Sequence, residues 1–477
     1  MQAQLKRRTA RLALLAGATA TALTACAAIP DLGREPQPKP VAAYAADQSF
    51  TAPAADWPQD AWWTAYGDAQ LNQLMREALA GSPDLVEAEA RVRQARAIAE
   101  QTGAALSPHL GAEATVVGAK QSYSQGALSP VIPRGWRDIG AVGLGLDWQL
   151  DFFGKNRALL AAASSQARAR EADAAAARLA LTTSIAQSYA ELAQLYAERD
   201  AARDALRVRM ESEELIAARV RQGLDTDAAQ DRAQSARASA EAELRALDEA
   251  IGLNRQGIAA LLGQGPDRAL AILRPGPVAV RTFGLPTNLP AALVGRRPDV
   301  VAARLEAESA RRRIKAARAD FYPNVNLMAL GGIESFGLDQ LARSGSTFGA
   351  AGPAVTLPIF SAGRLEGAYR GARADYDLAV ANYDRTVVHA LNEVAESAVS
   401  ARALDQRLTK SREALSAARK AYELTRQRYG RGLGTYLDVL SAEDALISNQ
   451  RTVADLETRA FVIDVALIRA LGGGYRA

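Results

Sequence analysis

Two hydrophobic periodicities meet within residues 139–223. Between Val142 and Phe152, apolar residues alternate with small or polar ones, as expected of a strand with one apolar face. Over residues 155–222 there is no proline, alanine dominates, and apolar residues recur every three or four positions. This second pattern predicts a single helix of about 68 residues, roughly 100 Å long.

The rest of the first half surrounds this pair of elements. A weaker alternation over residues 110–120 predicts a partner for the strand at residues 140–152, joined to it by a polar loop. A further long helix is predicted over residues 227–262, after a break at 223–226. One face of the stronger strand is predicted to meet lipid, through Val142, Leu144, Leu146, Trp148 and Leu150.

The same order of landmarks returns in the second half of the chain. Pro83 and Asp84 reappear as Pro298 and Asp299, and residues 223–226 correspond to 432–435. Such regular spacing indicates a tandem duplication. The second copy predicts strands at 325–334 and 347–357 and long helices at 362–429 and 435–471.

These patterns divide the chain into six segments. A signal peptide is predicted at residues 1–25, an extended tether at 26–60 and the first repeat at 61–265. A linker at 266–296, the second repeat at 297–472 and a tail at 473–477 follow.

The N-terminus predicts export and a lipid anchor. Four basic residues precede a small and apolar run that ends at Cys26, the only cysteine of the chain. This segment resembles a bacterial lipoprotein signal, in which Cys26 becomes acylated; a plain secretory signal is the alternative. Ala27 follows the cysteine, whereas the usual inner-membrane retention signal has aspartate there, so the resemblance favours the outer membrane.

The charge balance does not favour nucleic-acid binding. The chain has 57 basic and 53 acidic residues, and removal of the four basic residues before Cys26 leaves a balanced mature protein. No run of eighteen apolar residues follows Cys26, so strands are the predicted means of crossing a membrane.

The predicted strands require an oligomer. Four strands are too few to close a membrane barrel, because about eight is the smallest working number and an open edge leaves backbone groups unpaired in lipid. A dimer supplies about eight strands and a trimer about twelve, and we expect only the trimer to leave a lumen for solutes. The predicted fold is therefore mainly α with a small β part. Each duplicated protomer has two long helical hairpins and four transmembrane strands, and the trimer forms a 12-stranded β-barrel continued by an α-helical barrel.

Several motifs resemble one known family. They are the lipobox at Cys26, an aromatic segment with Trp62, Trp63, Tyr66, Asp68, Leu71 and Leu74, the segment 289–300 with Arg296, Arg297, Pro298 and Asp299, and residues 428–435. Together with the repeat, they resemble the outer-membrane factor family of TolC and OprM type, and within it the NodT-like efflux lipoproteins.

This resemblance implies a passive exit duct without enzymatic activity, cofactor or bound metal. The implied partners are two further copies, a periplasmic adaptor, an inner-membrane pump of the resistance-nodulation-division class and outer-membrane lipid. The implied location is the outer membrane, with the helices in the periplasm. Two alternatives stay open: the exit channel of type I protein secretion and a periplasmic coiled-coil scaffold or adaptor lipoprotein.

The two hairpin tips, residues 219–226 and 428–435, are the first candidate site. Their glycines permit a tight reversal of the chain. By resemblance the tips also dock the adaptor. The candidate docking residues are Arg219, Gly223, Thr226, Gly432 and Thr435.

Asp438 is the second candidate, as a periplasmic gate. In a trimer it forms a ring of three carboxylates that attracts cations. Tyr429 and Arg428 are candidates for contacts that hold the gate closed. A solvated helix aspartate is the alternative for Asp438. Family members often carry a second acidic residue three positions later; here that residue is Ser441, although Glu443 and Asp444 are close in sequence.

Enzymatic alternatives lack the required residues. The only two histidines, His109 and His389, are far apart in the chain and have no companion ligands at metal-binding spacing. The glycines at 430, 432 and 434 are not followed by the lysine and serine or threonine of a phosphate-binding loop.

Overall fold

The computed structural model describes residues 29–46, 48–120, 122, 135–276, 280, 283–287 and 289–476. Cys26, the predicted signal peptide and most of the loop predicted between the first two strands lie outside the described residues. Within the described part, the chain is mainly helical with one small antiparallel sheet, which confirms the predicted fold class.

Nine α-helices follow one another in the described residues. We number them α1 Ala69–Gly81, α2 Pro83–Ala104, α3 Lys155–Arg221, α4 Asp227–Leu261, α5 Asp267–Leu270, α6 Leu289–Arg296, α7 Pro298–Ala319, α8 Arg364–Gly430 and α9 Tyr436–Ala470. The equivalent long helices of the two repeats have equal lengths, 67 residues for α3 and α8 and 35 for α4 and α9. None of the described helices is both long and apolar enough to cross a membrane.

The sheet has four antiparallel strands in sequence order. They are β1 His109–Ala119, β2 Arg137–Leu150, β3 Asn324–Phe336 and β4 Thr347–Thr356. The glycines of β3 and β4 made their alternation weak in the sequence, and both strands nevertheless pair along most of their length. Strand β2 of the first repeat pairs with β3 of the second, so the sheet joins the two repeats.

The start of α8 differs from the prediction by two residues. The helical pattern suggested residue 362, but Ala362 and Gly363 have φ values of 48° and 83°. These left-handed conformations end the irregular segment after β4, and the first helical residue is Arg364. Alanine has the highest helical propensity of all residues, so the sequence pattern alone does not reveal this turn.

The chain folds into two compact units, each built from both repeats. One, the strand unit, contains residues 29–38, Arg93–Ala169 and Arg304–Asn382. The other, the tip unit, contains the described residues of Lys39–Val92, Arg170–Ala303 and Tyr383–Ala477. The long helices α3 and α8 contribute residues to both units.

In the strand unit, the segment after β2 contacts α7 and the segment that follows it, so the two repeats are joined outside the sheet as well. The Lys155 ammonium lies 2.6 Å from a carboxylate oxygen of Asp320, and the ring of Phe153 stacks on that of Tyr322 with centroids 4.8 Å apart. The Ser309 hydroxyl donates to the carbonyl of Ala162 at 2.9 Å. Small side chains allow these helices to approach closely.

The tip unit has an apolar core that includes the aromatic segment. Trp62, Trp63 and Tyr66 are buried, and the Tyr66 hydroxyl donates to Asp464 of α9 at 2.6 Å. Asp68 caps α1 by accepting from the Leu71 amide at 2.8 Å. The Tyr66 contact attaches the aromatic segment to the last helix.

Residues 29–60, predicted as an extended tether, lie along helices in the described part of the chain. In the strand unit, Glu35 forms an ion pair with Arg311 at 3.0 Å. In the tip unit, the Lys39 amide donates to Asp384 at 3.0 Å, and Ala54 forms a parallel bridge with Leu285. The segment therefore contributes contacts to both units.

Arg297 is a buried cation at the start of the second repeat. Its guanidinium donates to Asp299 at 2.6 Å, to the carbonyl of Ala470 at 3.2 Å and to Glu393. Ala470 is the last residue of α9, so its carbonyl has no hydrogen-bond donor within the helix. Arg297 thus connects α8 with the C-terminal end of α9.

We expect Arg297→Met to lower the free energy of unfolding by about 2–4 kcal/mol. This is slightly below the range for a fully buried pair, because both carboxylates are partly exposed. Thermal unfolding of the detergent-solubilised protein measures the effect. Arg91→Met is the control, since Arg91 pairs with Glu87 on the surface, where such a pair contributes about 0.3–0.5 kcal/mol. Equal melting temperatures for the two variants would contradict the expectation.

Candidate functional site

The two tips, residues 219–226 and 428–435, have the same backbone turn. In the first, the Leu224 amide donates to the carbonyl of Arg219 at 2.9 Å; in the second, the Leu433 amide donates to that of Arg428 at 2.8 Å. The glycine before each leucine has a positive φ, 70° at Gly223 and 74° at Gly432. This is a Schellman turn, which requires a left-handed residue after the helix.

Arg219 and Arg428 occupy equivalent positions and make equivalent contacts. The guanidinium of Arg219 donates to the carbonyl of Leu224 at 3.5 Å, and that of Arg428 to the carbonyl of Leu433 at 3.4 Å. Each arginine therefore supports its own turn and places a positive charge at the C-terminal end of a long helix, where the helix dipole favours it.

A threonine caps the helix that leaves each tip. The Thr226 hydroxyl accepts from the Ala229 amide, and the Thr435 hydroxyl accepts from the Asp438 amide, both at 3.3 Å. Asp438 returns the contact, since its carboxylate accepts from the Thr435 amide at 2.9 Å and from the Thr435 hydroxyl at 2.8 Å. The second tip thus has a complete capping box.

The structure places the predicted gate residue Asp438 at the surface of the protomer. The amide and hydroxyl of Thr435, with a further contribution from Arg428, hold the pKa of the Asp438 carboxyl below its usual range. The carboxylate is therefore ionised at neutral pH and oriented by its cap. It belongs to the first turn of α9, where a negative charge is favoured.

A hydrogen bond joins the two tips within one protomer. The Tyr429 hydroxyl of the second tip donates to the Asp225 carboxylate of the first at 2.8 Å. The guanidinium of Arg219 lies over the Tyr429 ring, 4.7 Å from its centroid, and its Nε is 3.8 Å from Asp225. Burial and the Asp225 carboxylate raise the pKa of Tyr429, so the hydroxyl keeps the proton that it donates.

An apolar cluster, which we call the tip cluster, lies behind these contacts. Its buried members come from all four long helices: Ile216, Ala229, Ala233, Tyr422, Tyr429, Tyr436, Val439 and Leu446. The rings of Tyr429 and Tyr436 are 6.1 Å apart, tilted by 52°. Burial and neighbouring Glu443 raise the pKa of Tyr436 to about 12.

Glu443, close to the predicted gate in sequence, is buried in the protomer, with 1% of its surface exposed. Its Oε1 lies 3.3 Å from Nε of Arg209, which belongs to the first repeat. Neighbouring Asp444 is exposed and lies 2.7 Å from Nη2 of the same arginine. The two acidic residues therefore have different environments, although both contact one guanidinium.

The tips also present apolar side chains to solvent. In the protomer, Leu224 is 60% exposed and Leu433 is 66% exposed, and Leu437 on the first turn of α9 is exposed as well. The two equivalent loops therefore each expose a leucine in the protomer.

The register of the sheet groups the predicted lipid-facing residues on one side. Residues directly opposite one another in an antiparallel pair face the same side. The partners of the five β2 residues Val142 to Leu150 are Ala114, Ala112 and Leu110 on β1 and Ile333, Gly331, Ala329, Leu327 and Val325 on β3. The same side continues on β4 through Val355, Pro353, Ala351, Gly349 and Thr347.

The opposite side of the sheet carries most of the polar residues. Glu113 and Thr115 of β1, Asp147 of β2 and Glu334 of β3 all belong to the alternate positions. Trp148 is on the apolar side, near the end of β2, and its indole NH donates to the carbonyl of Leu106 at 3.1 Å. The sheet therefore has one apolar and one mixed side.

The sequence did not identify three residues of this site. Asp225, Arg209 and Tyr436 have no motif of their own, and their importance comes from contacts between helices of different repeats. The tandem duplication offered one indirect signal, because the second tip has a tyrosine where the first has Val220. Within the described residues, no group of three or more histidine, cysteine, aspartate or glutamate side chains is arranged to hold a metal ion.

Comparison with known proteins agrees with this architecture. The family model of outer membrane efflux proteins matches residues 74–264 and 289–473. The fusaric acid resistance protein FusA of Burkholderia cepacia is 34% identical over 386 residues, which cover 78% of this chain and 71% of FusA. The toluene efflux pump outer membrane protein TtgF of Pseudomonas putida is 30% identical, with 96% of each chain covered.

A solved structure agrees in both sequence and fold. The outer membrane protein VceC of Vibrio cholerae superposes with a TM-score of 0.83 at 45% identity, over 88% of this chain and 100% of VceC. The family match includes both repeats and most of the chain. The protein is therefore an outer-membrane efflux channel subunit, and the chain belongs to the outer membrane efflux protein family.

Proposed function

We propose that this protein forms a homotrimeric exit duct, anchored at Cys26, through which small molecules leave a tripartite efflux system. An inner-membrane pump of the resistance-nodulation-division class supplies the molecules, and a periplasmic adaptor connects the pump to the tips. The duct is passive and performs no chemistry. The single observation that carries this proposal is the register of the sheet, because it places mainly apolar or small residues of all four strands on one side and leaves Glu113, Asp147 and Glu334 on the other.

The apolar side fits outer-membrane lipid. Leu110, Val116, Val142 and Leu144 are exposed in the protomer and lie on one side of the sheet. Full transfer of an aliphatic side chain of this size from water to an apolar medium gains about 1.5–3 kcal/mol, and these partly exposed side chains would gain roughly half of that. A hydrocarbon environment therefore stabilises this surface.

The two edge strands support the trimer. Within the described residues, β1 and β4 each pair on one side only. The backbone groups of their free edges must find partners in lipid, where each unsatisfied group costs several kcal/mol. Pairing β1 of one copy with β4 of the next meets this need around a three-fold axis.

The contacts at the tips support a closed state. The Tyr429 hydroxyl, the Asp225 carboxylate and the Arg219 guanidinium join the two hairpins, the pair of α3 with α4 and the pair of α8 with α9. We assign the gate to Asp438 together with Tyr429 and Arg428, with three Asp438 carboxylates forming an acidic ring in the trimer. The exposed leucines and glycines of the tips form the adaptor-docking surface.

The names of the relatives favour efflux of small molecules over protein secretion. TtgF is named for toluene efflux and FusA for resistance to fusaric acid, both of which are small organic compounds. Within the described residues, two complete helical hairpins and four strands also differ from the single hairpin expected of an adaptor lipoprotein.

The acidic ring predicts that Asp438→Ala lowers the cation-to-anion permeability ratio of single trimers by about twofold or more, because three carboxylates are lost from the entrance. Planar-bilayer recordings in a salt gradient measure this ratio. Thr435→Ala is the matched control, since it breaks the same capping box and keeps the charge. Unchanged conductance and selectivity in Asp438→Ala would refute the gate assignment.

The link between the tips predicts that Tyr429→Phe raises the ratio of open to closed trimers about fivefold. The substitution removes a hydrogen bond of about 1 kcal/mol and keeps the ring. Single-channel open probability is the measurement. Tyr422→Phe is the control, because its hydroxyl makes no hydrogen bond within the described part of the chain. We expect the control to open as often as the unsubstituted protein; equal effects of both substitutions would argue against the link.

The docking surface predicts that Gly223→Leu and Gly432→Leu abolish export while trimers still form. A side chain at these positive φ values costs about 1–2 kcal/mol, but the space around both glycines is open. Drug susceptibility of cells that contain the partner pump measures export, and native gels measure assembly. Gly252→Leu, at an equally open position within α4, serves as the control. Normal export from both tip variants would reject tip docking.

A further inference from the structure

A carboxylate that the gate described above does not use lies between the two hairpins. Glu443 is three positions from Leu446 and four from Val439, so all three share one face of α9. Val439 and Leu446 belong to the tip cluster, and Glu443 is as buried as they are. Its side chain is therefore directed into the tip cluster.

The environment of Glu443 is poor for a charged group. Neither carboxylate oxygen accepts a hydrogen bond within the described part of the chain. The nearest cation is Arg209 at 3.3 Å, but that guanidinium also contacts Asp444 at 2.7 Å and the carbonyl of Ala236 at 3.4 Å. One shared guanidinium compensates little of the cost of burying a carboxylate.

The remaining groups near Glu443 add no positive charge from within the tip cluster. The hydroxyls of Tyr422 on α8 and Tyr436 on α9 are neutral, and burial and Glu443 raise the pKa of both. Asp444 adds a negative charge from the same helix. Arg207 and Arg426 act electrostatically on Tyr422, and both form ion pairs with Glu211. Arg209 is thus the cation that acts on Glu443 directly.

We propose that Glu443 is a proton-operated gating residue: its protonated form favours the packed hairpins, and its ionised form favours their separation. This inference rests on the proposed duct and concerns the regulation of its tips. The physical basis is differential hydration, because separating α3 from α9 exposes the carboxylate to water, which stabilises its charge.

The direction of the pH dependence follows from the raised pKa of Glu443 in the packed state. Burial raises the pKa of Glu443 to about 7 in the packed state, and Asp444 adds to this effect, although Arg209 lowers it. A hydrated glutamate has its ordinary pKa of 4.5. The packed state therefore binds the proton more tightly. Acidification through pH 7 favours the packed tip, and a rise in pH favours opening.

The same shift gives the size of the effect. The pKa of Glu443 is about 7 in the packed state and 4.5 when the carboxyl is hydrated. With these two values, the open-to-closed ratio of each subunit rises by about tenfold between pH 6 and pH 8. Asp438 does not contribute over this interval, because its lowered pKa keeps it ionised throughout. A titration within this range therefore reports on a group other than the acidic ring.

The experiment is single-trimer recording of the full-length protein from pH 6 to pH 8. We expect the open-to-closed ratio of the unsubstituted protein to rise by about tenfold or more. Glu443→Gln should remove this rise, and trimers of this variant should stay mostly closed at every pH, because glutamine remains neutral. Arg209→Met should move the midpoint to higher pH, because the cation that lowers the pKa of the carboxyl is lost. Asp444→Asn, which changes the exposed neighbour, should keep the rise with a slightly lower midpoint.

Two results would overturn the inference. An unchanged pH dependence in Glu443→Gln would show that another group titrates, and an unchanged midpoint in Arg209→Met would show that the pair does not act on opening. Trimer formation on native gels verifies that each variant folds, and Arg209→Met tests the idea if Glu443→Gln fails to assemble. Absence of conductance in every variant and in the unsubstituted protein would instead refute the duct itself.

Discussion

The pairing of β2 with β3 is the constraint on which the rest of the structure depends. It joins the two repeats in one sheet, and its register decides which residues of all four strands share a side. At Gly332 the backbones approach so closely that a Cβ atom would lie 2.2 Å from the Val142 carbonyl oxygen. Only glycine permits this approach. A shift of the β2–β3 register by one residue would place Glu334 of β3 on the same side as the apolar residues Val142 and Leu144 of β2.

The two repeats are similar in backbone and different in chemistry. Both tips use a Schellman turn, an arginine that supports it and a threonine cap. Only the second has the tyrosine that reaches across to Asp225, and only its following helix has both a complete capping box and a buried carboxylate. Duplication thus supplied the scaffold, and divergence of a few side chains made the contacts between the hairpins.

Local patterns were sufficient to predict the elements, and they were insufficient for the contacts between them. The long helices and β2 came from periodicity, and the repeat supplied β3 and β4 despite their glycines. The left-handed Ala362 escaped detection because alanine usually favours a helix. The sequence placed Glu443 only close to the predicted gate, because periodicity does not show which helix of the other repeat covers a residue. Asp225 and Arg209 acquire their roles only through such contacts.

The attachment of residues 33–35 to α7 and α8 also limits how far the strand unit can lie from Cys26. The Gly33 carbonyl accepts from Arg373, and Glu35 pairs with Arg311. Seven peptide units separate Cys26 from Gly33, so the two residues can be at most about 25 Å apart, whatever path the chain takes. With Cys26 acylated, as we propose, the N-terminal segment acts as a molecular ruler. Its length limits how far Arg311 of α7 and Arg373 of α8, which bind residues 33–35, can lie from the outer-membrane leaflet that holds the acyl chains.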